Sequence, residues 1–252
     1  MKYVRFLNSE KEIQFGKVEG EQIRVLDGPF LDPSSKPTDI ILSLNEVTLL
    51  APVDPNKVIC VGLNYALHAK ELEHSLPADP VIFIKPQSSV IGPNDEIICP
   101  KISQRVDYEA ELAVVIGKTV KDVSESEAVE AIFGYTCAND VTARDLQKKD
   151  AQWTRAKSFD TFCPIGPWVV TDIDPSHLDI QSILNGEIKQ SSNTQNFITS
   201  VPKLVSFMSQ VMTLNPGDVV LTGTPEGIGA IQSGDEVIVR IEMIGELRNT
   251  VK

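Results

Sequence analysis

Positive charge is scarce in this chain. Of its 252 residues, 23 are lysine or arginine and 35 are aspartate or glutamate, for a net charge of −12. No basic stripe interrupts that balance, so the counterion release that drives nucleic-acid binding has no source, and nucleic acid is excluded as a partner. Long apolar runs are missing too. None approaches the roughly 20 residues that span a bilayer, and no membrane partner is expected. The four cysteines (Cys60, Cys99, Cys137 and Cys163) stand apart without a CxxC pair, and no apolar signal core follows the opening MKYVRFL. A reducing cytoplasm is the expected location. The glycine-rich TGTPEGIG (222–229) lacks the Gly-Lys-Ser/Thr of a phosphate-cradling loop. It reads instead as a turn able to support a small acid through Thr224 or backbone N–H groups.

A hydrophobic content of 42% supports an ordinary packed core. Organisation changes near residue 50. Segments 2–7, 12–18 and 21–27 read as strands of a meander, followed by the Pro/Ser-rich connection GPFLDPSSKPTD. Residues 1–50 are therefore expected to form a small N-terminal domain and 51–252 a larger one, with APVDPNK as the linker. In the larger domain, strands are expected at 58–62, 81–84, 89–91, 96–98, 108–116, 134–138, 166–171, 218–222, 235–242 and 246–251. Helices are fewer, at 64–74, 124–132, 142–150 and 200–212. Ser124 with Glu127 forms a capping box for the second of these, and LNPGD stops the last. Many strands with little βα alternation point to an α+β fold, predominantly β, with mostly antiparallel sheets.

The stretch DYEAELAVV (107–115) places Glu109 and Glu111 two residues apart on an otherwise apolar strand. Period 2 sets both on one face, with Cα atoms about 7 Å apart. Two unpaired charges there need a counter-charge, and a divalent cation is the simplest; an exposed acidic edge is the alternative. Asp140 ends the apolar segment GYTCAND directly before a helix, where it is either a third ligand or an N-cap. Three acidic oxygen donors suit Mg²⁺ or Mn²⁺ better than zinc.

On the helix at 64–74, His68 and Glu71 are at i and i+3 and share a face. A carboxylate beside an imidazole fixes its tautomer and raises its basicity, as needed to take a proton from water. The alternative is an exposed polar pair. His74 and His177 have no such company. Lys157 precedes a loop rich in aromatic residues, proline and glycine, where a lone cation can neutralise an enolate or carboxylate, although most single lysines are merely solvated. Cys163 has no histidine near it in sequence and is a poor candidate nucleophile.

Six ordered blocks, GLNYALHAKEL, IFIKPQSSVIGP, DYEAELAVVIG, ANDVTARDLQ, AKSFDTFCPIGP and LTGTPEGIG, resemble the signature of the fumarylacetoacetate hydrolase family from residue 58 to about 250. The resemblance implies a catalytic domain built as a β-sandwich or β-roll of mixed sheets, and a homodimer. It implies Glu109, Glu111 and Asp140 as ligands of Mg²⁺ or Mn²⁺, Lys157 beside the substrate, and His68 with Glu71 as a catalytic dyad on a lid helix. Arg144, Gln147 and Thr224 match substrate-pocket positions. Cys163 and Ala156 depart from the residues usual at their places, and residues 1–50 match only loosely.

The implied substrate is a small 2-oxo acid, and the dyad favours hydrolysis of the C–C bond in a 2,4-dioxo acid of acylpyruvate type. Oxaloacetate decarboxylation or tautomerisation, isomerisation of 2-hydroxyhepta-2,4-diene-1,7-dioate, and an inactive oxoacid-binding protein are the alternatives, because a fold does not select among them.

Overall fold

Three short strands, β1 (Lys2–Leu7), β2 (Ile13–Glu19) and β3 (Gln22–Leu26), open the chain as an antiparallel meander. Alternate residues Val4, Phe6, Ile23 and Val25 form its buried face, as strand period requires. The structure, a computed structural model, describes residues 1–71, 73 and 78–252. The Pro/Ser-rich connection ends earlier than its composition suggests. β4 (Pro37–Ser43) pairs with β3, with Pro37 as its first residue, where a missing N–H is tolerated, and β5 (Thr48–Leu49) folds back onto β1.

Next come β6 (Val58–Val61), α1 (Ala66–Glu71), β7 (Ile82–Lys85), β8 (Val90–Ile91) and β9 (Glu96–Ile97). The helix expected at 64–74 thus starts two residues late; Leu72 and His74 lie outside the described residues. The strand expected at 108–116 is broken at Glu109 into β10 (Val106–Tyr108) and β11 (Ala110–Ile116). After α2 (Glu125–Ala131), whose Ser124–Glu127 capping box is present, come β12 (Ile132–Asn139) and β13 (Thr142–Ala143). Then follow α3 (Arg144–Lys149), α4 (Thr154–Lys157), β14 (Cys163–Val170), β15 (Asp179–Leu184) and β16 (Glu187–Asn193). The chain closes with α5 (Val201–Val211), β17 (Val219–Leu221), β18 (Gly229–Ile231), β19 (Glu236–Ile241) and β20 (Gly245–Val251).

The architecture is α+β and predominantly β. The largest sheet runs β4-β3-β2-β1-β14-β12-β11-β17-β6-β7, so the N-terminal meander continues into it through β1 and β14. A five-stranded sheet, β16-β15-β19-β20-β9, packs across it, and a three-stranded one, β13-β10-β18, lies beside both. Most pairings are antiparallel, while β6 with β17, β8 with β14 and β9 with β20 are parallel.

β11 is buried on both faces. Leu112, Val114 and Ile116 meet Ile180, Val239 and Ile241 of the five-stranded sheet and Leu204 and Met208 of α5. Ala113 and Val115 enter a second core with Val58, Cys60, Val219 and Leu221. Alternation therefore places Glu111 on the second face, at the end where that core gives way to the site. No helix among the described residues is long and apolar enough to cross a membrane.

Candidate active site

Glu109 stands where the chain leaves one sheet for another: β10 pairs with β13 and β18, β11 with β12 and β17. Register places Ala110 opposite Asn139, and the Asp140 N–H donates to the Glu109 carbonyl at 2.9 Å. The Asn139 side chain accepts the Glu109 N–H at 2.9 Å and locks the break. Carboxylate oxygens of Glu109, Glu111 and Asp140 consequently lie within 4.8 Å of one another, all three side chains buried. An exposed acidic edge is excluded. Asp140 is not an N-cap either: the residue before α3 is Ala143, with no side-chain cap.

Buried cations brace two of the three acids. Lys157 donates to Glu109 at 2.8 Å and to Asp140 at 2.6 Å. Arg144 pairs with Glu109, with Asp107 at 2.8 Å, and with the Gln147 side chain at 2.6 Å. Lys85, fully buried at the end of β7, pairs with Asp140 and donates to the Val141 carbonyl at 3.1 Å. Burial alone would raise the Glu109 carboxyl, but Lys157 and Arg144 outweigh it and hold it well below the usual carboxylate range. Burial likewise opposes the charge on Lys157, yet Asp140 and Glu109 keep its ammonium above its ordinary value.

Glu111 differs. Its carboxylate accepts the Gly223 N–H at 2.6 Å and touches no cation among the described residues. Burial first, then Asp140 and Glu109, push it well above its ordinary value. Of the four buried acids here, Asp107 is held by Arg105 and Arg144, Glu109 by Arg144 and Lys157, and Asp140 by Lys85 and Lys157, which leaves Glu111 without an ion pair among the described residues. Hard oxygen donors, close spacing and an uncompensated buried carboxylate fit Mg²⁺ or Mn²⁺.

Above this floor lies α1. Asn64 anchors its start, donating to the Thr199 and Thr222 carbonyls at 3.0 and 2.8 Å and accepting the Thr199 N–H at 2.8 Å. His68 Nδ1 meets Glu71 Oε2 at 2.9 Å, and the ring is buried rather than solvated. The second Glu71 oxygen accepts the Gly227 N–H at 3.0 Å and ties the helix to the glycine-rich loop. The N–H groups of Gly223 and Gly227 are thus engaged by acids of this chain. Thr224 Oγ1 accepts from Gln190 at 2.8 Å and lies outside the lining of the cavity that His68 and Glu109 share.

That cavity, of about 590 Å³, brings six of the predicted residues together, His68 and Glu71 from the lid, Glu109 and Lys157 from the floor, Arg144 and Gln147 from α3, while Glu111 and Asp140 are not in its lining. Cys163 is in β14, its thiol buried and pushed up to about 12 by that burial, and so stays protonated. Lys85, Asp107 and Gln190 were not singled out by sequence. Lys85 sits inside the apolar run IFIK, where a buried lysine is itself a signal of a charged partner.

Residues 57–252 match the family model described as fumarylacetoacetate (FAA) hydrolase C-terminal, and residues 1–52 match one described as Rv2993c-like, N-terminal. The chain is 46% identical over 224 residues to oxaloacetate tautomerase FAHD2A, mitochondrial, of Bos taurus, covering 84% of this chain and 71% of that protein. A crystal structure of 2-hydroxyhepta-2,4-diene-1,7-dioate isomerase from Mycobacterium marinum superposes with a TM-score of 0.92 at 45% identity, covering 100% of this chain and 98% of that one. Maleylpyruvate hydrolase from Sphingobium sp. SYK-6, in complex with manganese (II) ion and pyruvate, superposes with a TM-score of 0.83 at 31% identity, covering 100% and 98%.

Proposed function

This chain belongs to the fumarylacetoacetate hydrolase family, and on that premise we propose that it is a divalent-metal-dependent hydrolase that cleaves the C–C bond of a 2,4-dioxo acid. The observation that carries the hydrolytic reading is the His68–Glu71 pair, 2.9 Å apart and lining the same cavity as Glu109 and Lys157. Glu109, Glu111 and Asp140 would hold Mg²⁺ or Mn²⁺, which supplies a Lewis acid for the carboxylate and keto oxygens of a 2-oxo acid. The related hydrolase complex with manganese and pyruvate supports this choice.

The chain's own groups then divide the work. Glu71 accepts the Nδ1 proton of His68 and so leaves Nε2 free to take a proton from water, which attacks the distal C4 carbonyl. The C3–C4 bond breaks, C4 leaves as a carboxylic acid, and the electron pair passes into the enolate. Lys157 places fixed positive charge beside the developing oxyanion. Proton uptake at C3 releases pyruvate. With α1 tied by Asn64 at its start and by the Glu71–Gly227 bond, the dyad is held in place over the floor.

Pyruvate release from acetylpyruvate, with Mg²⁺, Mn²⁺ or EDTA, tests this reading. Turnover with metal and none with EDTA is expected; no conversion with either metal contradicts it. A second reading, enol–keto tautomerisation of oxaloacetate, is favoured by the 46% identity to the bovine tautomerase and needs proton transfer but no attacking water. Faster interconversion of oxaloacetate without pyruvate release from acetylpyruvate would select it. Decarboxylation of oxaloacetate or dienedioate isomerisation would show as CO₂ release or as a shift of the diene absorbance. An inactive oxoacid-binding protein has no use for the intact His68, Glu71 and Lys157. We further propose a homodimer, on the family resemblance, and a reducing compartment such as the cytoplasm, on four free cysteines.

A further inference from the structure

The glycine-rich loop TGTPEGIG engages two acids of the site through backbone N–H groups, Glu111 through Gly223 and Glu71 through Gly227. Gly227 is held a second time: its carbonyl accepts the Tyr108 hydroxyl at 3.0 Å. One residue thus carries two bonds, one to the lid and one to β10. Glycine is required there, because its φ is +95° and a Cβ would come within 2.4 Å of the Lys189 carbonyl oxygen. Gly229 in turn leaves room for the phenol, since a Cβ there would stand 2.8 Å from the Tyr108 hydroxyl.

Tyr108 ends β10 and directly precedes Glu109, so this tether starts one residue from a floor acid. Its ring is buried in the core that holds Val106, Val141, Leu146 and Ile231, and the β10–β18 ladder sets it opposite Gly229. Tyr108 does not line the cavity that His68 and Glu109 share. A chain of hydrogen bonds runs from it to the dyad: Tyr108 hydroxyl to Gly227 carbonyl at 3.0 Å, Gly227 N–H to Glu71 at 3.0 Å, and Glu71 to His68 Nδ1 at 2.9 Å. The Glu71 side chain is 31% exposed, so water competes for the oxygen that Gly227 holds. Gly227 has the wide backbone freedom of its residue type, and the Tyr108 bond restricts where its N–H points.

On the reading that His68 and Glu71 transfer the proton, we propose that Tyr108 is a positioning residue, which sets the dyad over the carboxylate floor through Gly227 and Glu71. Floor and lid are then joined by one phenol that lies outside the cavity lining.

Tyr108→Phe removes the hydroxyl and keeps the buried ring. In hydrogen exchange of the metal-free chain read by mass spectrometry, α1 and the loop 222–229 are expected to exchange about fivefold faster in the variant, with β11 and β12 unchanged. In turnover of acetylpyruvate with Mn²⁺, kcat is expected to fall about fivefold while KM and Mn²⁺ affinity hold. In a His68→Ala background the same substitution lowers kcat no further, because the group it positions is gone. Native exchange or native kcat in Tyr108→Phe overturns the proposal. So does an equal fivefold loss in the His68→Ala background, or faster exchange that extends to β11 and β12, either of which makes Tyr108 a structural residue. Faster exchange confined to α1 and the loop, in a chain whose native form leaves acetylpyruvate intact, upholds the tether and overturns the hydrolytic reading alone.

Discussion

The floor and the lid of the cavity are built on opposite plans. At the floor, Glu111 projects from β11, while Glu109 and Asp140 stand at the breaks between β10 and β11 and between β12 and β13, fixed by the ladders on either side and by the Asn139 side chain. The lid, α1, is one short helix held, among the described residues, by Asn64 at its start and by the Gly227 N–H to Glu71 carboxylate bond near its end. The proposed metal ligands thus stand on backbone fixed by sheet ladders, and the proposed proton-transfer pair on a helix tied by few hydrogen bonds among the described residues. Glu71 serves both needs of the lid, one oxygen orienting His68 and the other tying the helix down.

Removing a floor acid should have the largest effect. Glu109→Ala or Asp140→Ala is expected to lower turnover by about 10³-fold or more, with metal binding lost, in metal-titrated steady-state assays. Normal activity in either variant would remove that residue from the ligand set. His68→Ala is expected to lower kcat by about 10²- to 10⁴-fold while metal affinity stays unchanged, which separates lid from floor. Equal loss of both would make His68 a structural residue.

Within the floor, neutral isosteres should separate Glu109 from Glu111. Glu109→Gln leaves Lys157 and Arg144 short of a buried partner, at a cost of about 3 to 5 kcal/mol, so the Tm of metal-free protein should fall by roughly 10 °C. Glu111→Gln removes an uncompensated acid, and Tm should hold or rise. Equal falls in the two would refute the asymmetry.

Smaller still is a pH effect on thermal stability. Because the folded-state value of Glu111 is raised, its contribution is fully present below the ordinary carboxylate value of 4.5 and is lost as pH rises through the elevated value. A bound metal ion takes the proton's place and avoids that loss. The Tm difference between metal-loaded and metal-free protein should therefore widen from about pH 5 to pH 8. A constant difference would mean that Glu111 ionises normally.

Much of the site was legible because its chemistry follows short periods. Glu109 with Glu111 at strand spacing, His68 with Glu71 at helix spacing, and Asp140 at a strand end all fall where periodicity places them. The break at Glu109 was not legible, since a strand that changes sheets keeps its apolar pattern through the change. Lys85 and Asp107 acquire their roles only through pairings between distant segments, Lys85 of β7 with Asp140 beyond β12 and Asp107 of β10 with Arg144 of α3. The hairpin of β15 and β16 did carry a local signal, Asn185-Gly186, both at positive φ as a two-residue turn requires. Its strands are polar along the solvent side, which hid them from a search for apolar runs.

Manganese titration calorimetry of the native chain and of Glu111→Gln tests the central claim most directly, because Glu111 has no cation of its own and its neutral isostere leaves the rest of the floor intact. One Mn²⁺ per chain for the native protein and at least a tenfold loss of affinity in the variant is the predicted result. Equal stoichiometry and affinity in both would contradict it.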